Sequence, residues 1–264
     1  MALSIDVLME GYGFNTSVGI VGFCGSFLIE GGDKRVLVDT AHGGRRVYLQ
    51  SQLEARGLKP TDIDAVVLTH AHWDHVQNWD VFAHAPILFH PNEFRYSHNP
   101  HPNDWATPLW TGDSFRQAKV QEVEDGYEIM PGARIIDMIG HSPGSIGVEV
   151  ETNDGVAIIT GDALHFANVA LTRQNPLVFY NDDLATKAIE RVLDRADVIY
   201  PGHDQAFRVV NDKIEYVSKF EVTLTAITAD RPGLSFSATQ SLGWRVMPGV
   251  EDVDGLVAKA KIPG

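Results

Sequence analysis

The sequence predicts an α/β protein of four layers, αββα, with helices covering both outer faces of two packed sheets. Three observations predict it. Short apolar runs bounded by glycine and polar residues recur along the chain, two segments carry apolar residues at helical spacing, and strands followed by a helix return after residue 145. No internal sequence repeat accompanies that return. At 264 residues one αβ domain spanning 1–264 is expected, with 228–264 as an irregular tail.

The elements follow in order. Residues 4–9, 26–30 and 35–39 read as an opening run of strands, with Glu30-Gly31-Gly32-Asp33 as a hairpin turn. In 46–56, Val47, Leu49 and Leu53 stand among polar residues, and Gly57 stops the helix that they imply. Segment 98–112 carries Pro100, Pro102 and Pro108, so it is neither helix nor central strand but a loop. A clearer amphipathic helix covers 182–195, where Leu184, Ala188, Ile189, Val192 and Leu193 recur at helical spacing. The tail contains Pro232, Gly233, Gly243, Pro248 and Gly249, and reads as a lid, a dimer arm or a surface wrap.

Four further apolar runs, 65–68, 134–139, 156–159 and 198–200, read as buried strands, and just beyond each stands a metal-ligand type of side chain. After the first comes a cluster, His70-Ala71-His72-Trp73-Asp74-His75; after the others come His141, Asp162 and His203. Strand ends of one sheet can bring such residues to one spot, as ligands often bind beyond the carboxyl ends of strands. A lone His-x-His is weak evidence, because two histidines at a strand end are often a solvated edge. Five imidazoles and two carboxylates are a different matter. They suffice for two metal ions with one carboxylate left to bridge them.

Composition narrows the partners. A formal charge of −14 argues against nucleic acid, whose phosphates need a basic footprint, and against anionic membrane surfaces. The start lacks a basic stretch followed by an apolar core, and no long apolar run offers a membrane span, so a cytoplasmic protein is expected. The single cysteine, Cys24, lies in an apolar segment and reads as a packing residue. A small-molecule substrate fits these limits, and a homodimer is compatible with them.

The ordered set His-x-His-x-Asp-His, His, Gly-Asp, His resembles the signature of the metallo-β-lactamase superfamily, and residues 36–39 resemble its strand ending in Asp-Thr. The resemblance implies the αββα sandwich and a metal centre. His70, His72 and His141 would hold the first metal, and Asp74, His75 and His203 the second, with Asp162 bridging both. Zinc is the default, while iron, manganese or cobalt suit the same ligands. Asp39 could orient a ligand imidazole by accepting its free N–H.

Branches of the superfamily separate by what this chain lacks. No export signal, large inserted domain or fused flavin domain is expected from these 264 residues, which place no cysteine near the ligands and no Lys/Arg cluster near the motifs. The remaining similarity is to lactonases and their arylesterase and organophosphate-hydrolase cousins. The expected reaction is hydrolysis of a lactone, ester or similar acyl compound by a metal-bridging hydroxide held by Asp162, with Asp74 as ligand and proton acceptor. In lactonase branches a side chain near position 165, often Tyr, orients the substrate carbonyl; here it is His165, whose Nε2–H could donate instead. Trp73, Trp105 and Trp110 are candidate substrate contacts, each weighed against a packing role. Alternative readings are a mononuclear iron persulfide dioxygenase using His70, His72, His141 and Asp162, a glyoxalase II-like thioesterase, and a silent binding module.

Overall fold

The computed structural model describes residues 2–17, 19–32 and 34–223, so the predicted tail and Asp33 of the predicted turn lie outside the described residues. The first half of the chain runs β1 (Ser4–Met9), β2 (Tyr12–Thr16), β3 (Gly19–Phe23), β4 (Ser26–Gly31), β5 (Lys34–Val38), α1 (Arg46–Ala55), β6 (Ala65–Val67) and the one-turn α2 (Trp73–Val76). It continues through β7 (Pro86–Phe89), α3 (Pro91–His98), α4 (Thr111–Ser114) and β8 (Lys119–Glu122). The second half comprises β9 (Glu128–Met130), β10 (Ala133–Asp137), β11 (Ile146–Thr152), β12 (Gly155–Gly161), α5 (Ala167–Thr172), α6 (Asp182–Leu193), β13 (Val198–Pro201), β14 (Phe207–Val210) and β15 (Lys213–Tyr216).

Two sheets result. The first, in the order β1-β4-β5-β6-β7-β8, is antiparallel at its N-terminal edge and parallel from β5 onward. The second, β15-β14-β13-β12-β11-β10-β9, is antiparallel except where β12 meets β13. Strand alternation builds the layers, because successive side chains point to opposite faces. Phe27, Ile29, Val36 and Val38 face the second sheet and pack with Ile135, Val148 and Ile159. Their neighbours Leu28 and Leu37 face outward, beneath Leu49 and Leu53 of α1. On the far side, Ala188, Ile189 and Val192 of α6 cover Ile158 and Ile199. Each large aliphatic side chain so buried contributes roughly 1.5–3 kcal/mol. The predicted αββα sandwich is the observed one.

Both predicted helices form. Helix α6 starts on Asn181, whose Oδ1 accepts the N–H of Leu184, and Asp182 and Asp183 in its first turn suit the positive end of the helix dipole. Helix α1 closes at the predicted Gly57, where the Leu58 N–H returns to the Leu53 carbonyl. Other boundaries differ. The strand expected over 35–39 ends at Val38, because Asp39 turns to φ +59°. His98 ends α3 and Thr111-Gly112 open α4, so the predicted loop shrinks to 99–110. The sequence reading passed over the β2–β3 hairpin, whose alternation is interrupted by Gly13, Gly19 and Gly22. Among the described residues no helix is long and apolar enough to cross a membrane.

Candidate metal centre

The seven predicted ligand side chains come together at one edge of the sandwich, but not from one sheet. The cluster 70–75 follows β6 of the first sheet, whereas His141, Asp162 and His203 follow β10, β12 and β13 of the second. Strands β10, β12 and β13 point the same way, since β10 and β12 are both antiparallel to β11 and β13 is parallel to β12. The expectation of a single sheet is therefore corrected: the centre bridges two sheets, and packing between them sets its geometry.

Two glycines allow the approach. A Cβ on Gly161 would lie 2.7 Å from Thr69 Oγ1, and this residue also has φ +50°. A Cβ on Gly202 would lie 2.1 Å from Asp162 Oδ1. Both positions admit only glycine without displacing a site residue.

The atoms form two groups. His141 Nε2 lies 3.2 Å from His70 Nε2 and 3.0 Å from His72 Nδ1, and Asp162 Oδ2 lies 3.8 and 3.7 Å from His70 and His141 Nε2. On the other side Asp162 Oδ1 lies 3.3 Å from His75 Nε2 and 3.3 Å from His203 Nε2. Asp74 Oδ2 completes that group, 3.4 Å from His203 Nε2 and 3.9 Å from His75 Nε2. A tetrahedral ion with bonds of 2.0–2.1 Å has donor–donor edges of about 3.3 Å, so both groups are close to the size such an ion needs.

The electrostatics divide the imidazoles. Burial opposes the charged form at all five, but the carboxylates around His72, His75 and His203 outweigh it and raise their pKa values, whereas His70 and His141 are lowered. Burial, reinforced by the neighbouring imidazoles His75 and His72, holds His70 well below its ordinary pKa; burial and His72 do the same to His141. Both rings are thus neutral and carry lone pairs. At Asp162 burial resists ionisation, but the imidazoles of His165, His203 and His75 outweigh it and hold the carboxyl well below the usual range. His75 Nε2 and Asp162 Oδ1 are buried without a hydrogen-bond partner in the protein. A cation between these buried groups would satisfy the Asp162 oxygen and take the place of protons on the facing imidazoles.

Most of these rings are tied at their second nitrogen. Asp39 Oδ2 accepts from His75 Nδ1 at 2.8 Å, as expected of Asp39, and Asp39 also accepts from the N–H and hydroxyl of Thr69. Thr69 Oγ1 lies 3.0 Å from His70 Nδ1, and the Leu177 carbonyl accepts from His141 Nδ1 at 2.7 Å. Sequence reasoning missed two further buried carboxylates. Asp104 Oδ1 sits 3.4 Å from His72 Nε2 and accepts from the N–H groups of Ala106 and Thr107. Its spacing to Thr107, within a turn-rich segment, is the signal that could have marked it as a turn carboxylate. Glu93 accepts hydrogen bonds from both ligand loops, and its only sequence signal is an acid in a helix's first turn.

A cavity of about 270 Å³ opens beside the two groups of ligand atoms. Asp74, Asp162, His165 and His203 line its polar side. Its walls are apolar: Phe14 and Ile20 from the β2–β3 hairpin, Trp73, Trp105, Phe166 and Phe179. Among the described residues that line it there is no Lys or Arg. His165 Nε2 lies 3.0 Å from Asp162 Oδ2, and its ring stacks on that of His203 at 5.8 Å. Trp73 and Trp105 therefore stand at the cavity, whereas Trp110 does not; it is half exposed at the start of α4. Cys24 is fully buried, and burial pushes its thiol pKa up, in keeping with a packing role.

Comparison with known proteins bears on this geometry. The profile of the metallo-beta-lactamase superfamily matches residues 19–203. Metallo-beta-lactamase domain-containing protein 1 of Xenopus laevis is 32% identical over 210 residues, covering 78% of this chain and 82% of its own. An N-acyl homoserine lactonase of Bacillus cereus is 25% identical over 162 residues, covering 58% of this chain and 60% of its own. The solved structure of AidC, a dizinc quorum-quenching lactonase in complex with a product, superposes with a TM-score of 0.60 at 16% identity, over 78% of this chain and 82% of that one. At that identity the likeness is one of fold.

Proposed function

Because the chain belongs to the metallo-β-lactamase superfamily, we propose that it is a metal-dependent hydrolase that opens a lactone, ester or similar small acyl compound at a dinuclear centre. The observation that carries this reading is Asp162, which turns one carboxylate oxygen to each group of ligands. On this reading His70, His72 and His141 hold one ion, Asp74, His75 and His203 the other, and Asp162 both. Zinc suits so imidazole-rich a donor set, and the dizinc lactonase relative is consistent with it. Held by these residues, two such ions would lower the pKa of a bound water to about 7 and act as Lewis acids toward a carbonyl oxygen.

The protein's own groups do the rest. The apolar walls exclude water and seat the body of the substrate against Phe14, Trp105 and Phe166. Trp73 closes the wall beside the ligand loop. Asp74 lines the cavity and is the carboxylate placed to take up a proton and return it to the leaving group. His165, at the same floor, is placed to donate from Nε2 to the acyl oxygen or to Asp162. Among the described residues the lining holds no Lys or Arg, which favours a substrate without an anionic tail over the glutathione-bearing substrates of the thioesterase and persulfide readings.

Elemental analysis of the purified protein, followed by a screen of neutral lactones and aryl esters beside glutathione thioesters, tests the proposal. About two zinc ions per chain with turnover of neutral acyl substrates is the expected result. One iron per chain, with oxygen uptake on a glutathione persulfide, would replace it with the dioxygenase reading.

A further inference from the structure

The first group of ligands is drawn from two sheets. His70 and His72 belong to the loop after β6, and His141 to the loop after β10. The sheets meet through apolar side chains, whose contacts carry little directional preference, yet a ligand set must be held to within about half an ångström to bind its ion well. A directional link between the two loops is needed.

Glu93 is such a link. It stands in the first turn of α3 and is wholly buried, an unusual place for a carboxylate. Its Oε1 accepts the N–H of Ala71, the residue between His70 and His72, at 2.9 Å. Its Oε2 accepts the N–H of Gly144 at 2.7 Å and the hydroxyl of Ser142 at 2.8 Å, both on the loop that carries His141. Ser142 Oγ is itself 2.6 Å from Ser145 Oγ, so the hydroxyl is held in place. The fit is close: a Cβ on Gly144 would lie 2.4 Å from the Glu93 nitrogen and 2.7 Å from its Cβ. The Ser-Pro-Gly sequence after His141 thus has a physical reason, since it supplies one hydroxyl, one N–H and one open approach to the same carboxylate.

We propose that Glu93 is a positioning residue that clamps the two loops supplying the first metal site. The proposal rests on the reading of His70, His72, His141 and Asp162 as that site. Glu93 touches neither ion nor substrate; it acts by fixing the separation of imidazoles that belong to different sheets. A carboxylate accepts from both loops at once. Glutamine has the same shape but replaces one acceptor oxygen with an amide that faces an N–H, so one side of the clamp opens.

Cobalt titrated into metal-free protein, followed by its visible absorption and against a competing chelator, resolves the binding steps. The step lost in His141→Ala marks the first site. Glu93→Gln is expected to weaken that step about 10–100-fold and leave the other within about twofold, with the melting temperature of the metal-free protein near the parent's. Ser142→Ala removes one donor, preserves the fold, and is expected to weaken the same step by a few-fold. Equal weakening of both steps, or an unchanged first step in the folded variants, would overturn the proposal. A parent protein that takes up one ion, at the step lost in His141→Ala, would instead overturn the dinuclear reading. Glu93 would then be judged on that one step, with weakening in its favour and no change against it.

Discussion

Asp39 and His75 meet through Oδ2 and Nδ1 at 2.8 Å, at a point where the backbone of Asp39 is left-handed, φ +59°. Aspartate and asparagine tolerate that conformation better than other non-glycine residues. Asp39→Asn should therefore keep the turn while removing the charge that orients the imidazole. A loss of about 10–100-fold in metal affinity at the second site is expected, read by chelator competition. Unchanged affinity would mean that the contact is structural only.

Asp162 contributes an oxygen to each ligand group, so its loss should be felt by both. Asp162→Ala and His72→Ala are expected to abolish hydrolysis and to lower the metal-to-chain ratio, with Asp162→Ala affecting both ions and His72→Ala chiefly one. Full turnover in either variant would contradict the mechanism.

Trp105 walls the cavity at 47% exposure, and Trp110, at 51% exposure, lies outside it. Trp105→Ala should raise KM for substrates with a long acyl or aromatic body roughly 5–30-fold, corresponding to about 1–2 kcal/mol of lost apolar contact, with a smaller change for short acyl chains. Trp110→Ala should change neither value. Steady-state kinetics on a chain-length series distinguishes the two, and equal effects would remove Trp105 from the binding wall.

Glu149, on β11, accepts two hydrogen bonds from Arg195 and is also bonded to Arg134. Those guanidinium contacts outweigh burial and lower its folded-state pKa below the ordinary 4.5. Its ionised form therefore stabilises the fold above about pH 4.5, and that stabilisation is lost as pH falls through the lower folded-state value. Glu149→Gln should cost roughly 1–3 kcal/mol at pH 7 and progressively less in acid, as measured by denaturant unfolding across pH. A pH-independent cost would assign the effect to packing.

The identity and order of the seven candidate ligands, the helices over 46–56 and 182–195 and the αββα layering were all legible in the sequence, because each rests on local chemistry. An apolar run predicts its own strand, and the polar residue at its end is adjacent in the chain. Even the role of Asp39 could be read, since it follows such a run directly. Glu93 was not legible: it lies on α3, 22 residues from Ala71 and 51 from Gly144, and in the sequence is only an acid in a helix's first turn. The cavity was partly hidden for a related reason, because glycines blur the hairpin that supplies Phe14 and Ile20.

By itself, then, the sequence determined which side chains could bind metal and in which layers the chain would fold, since ligand type and hydrophobic period are properties of neighbouring residues. Only the tertiary structure decided that the centre spans two sheets rather than one, that Glu93 ties their loops, and that Trp105 faces the cavity while Trp110 does not. These outcomes depend on how two sheets slide and turn against each other. The contacts that set that packing join residues far apart in the chain, where no local pattern records them.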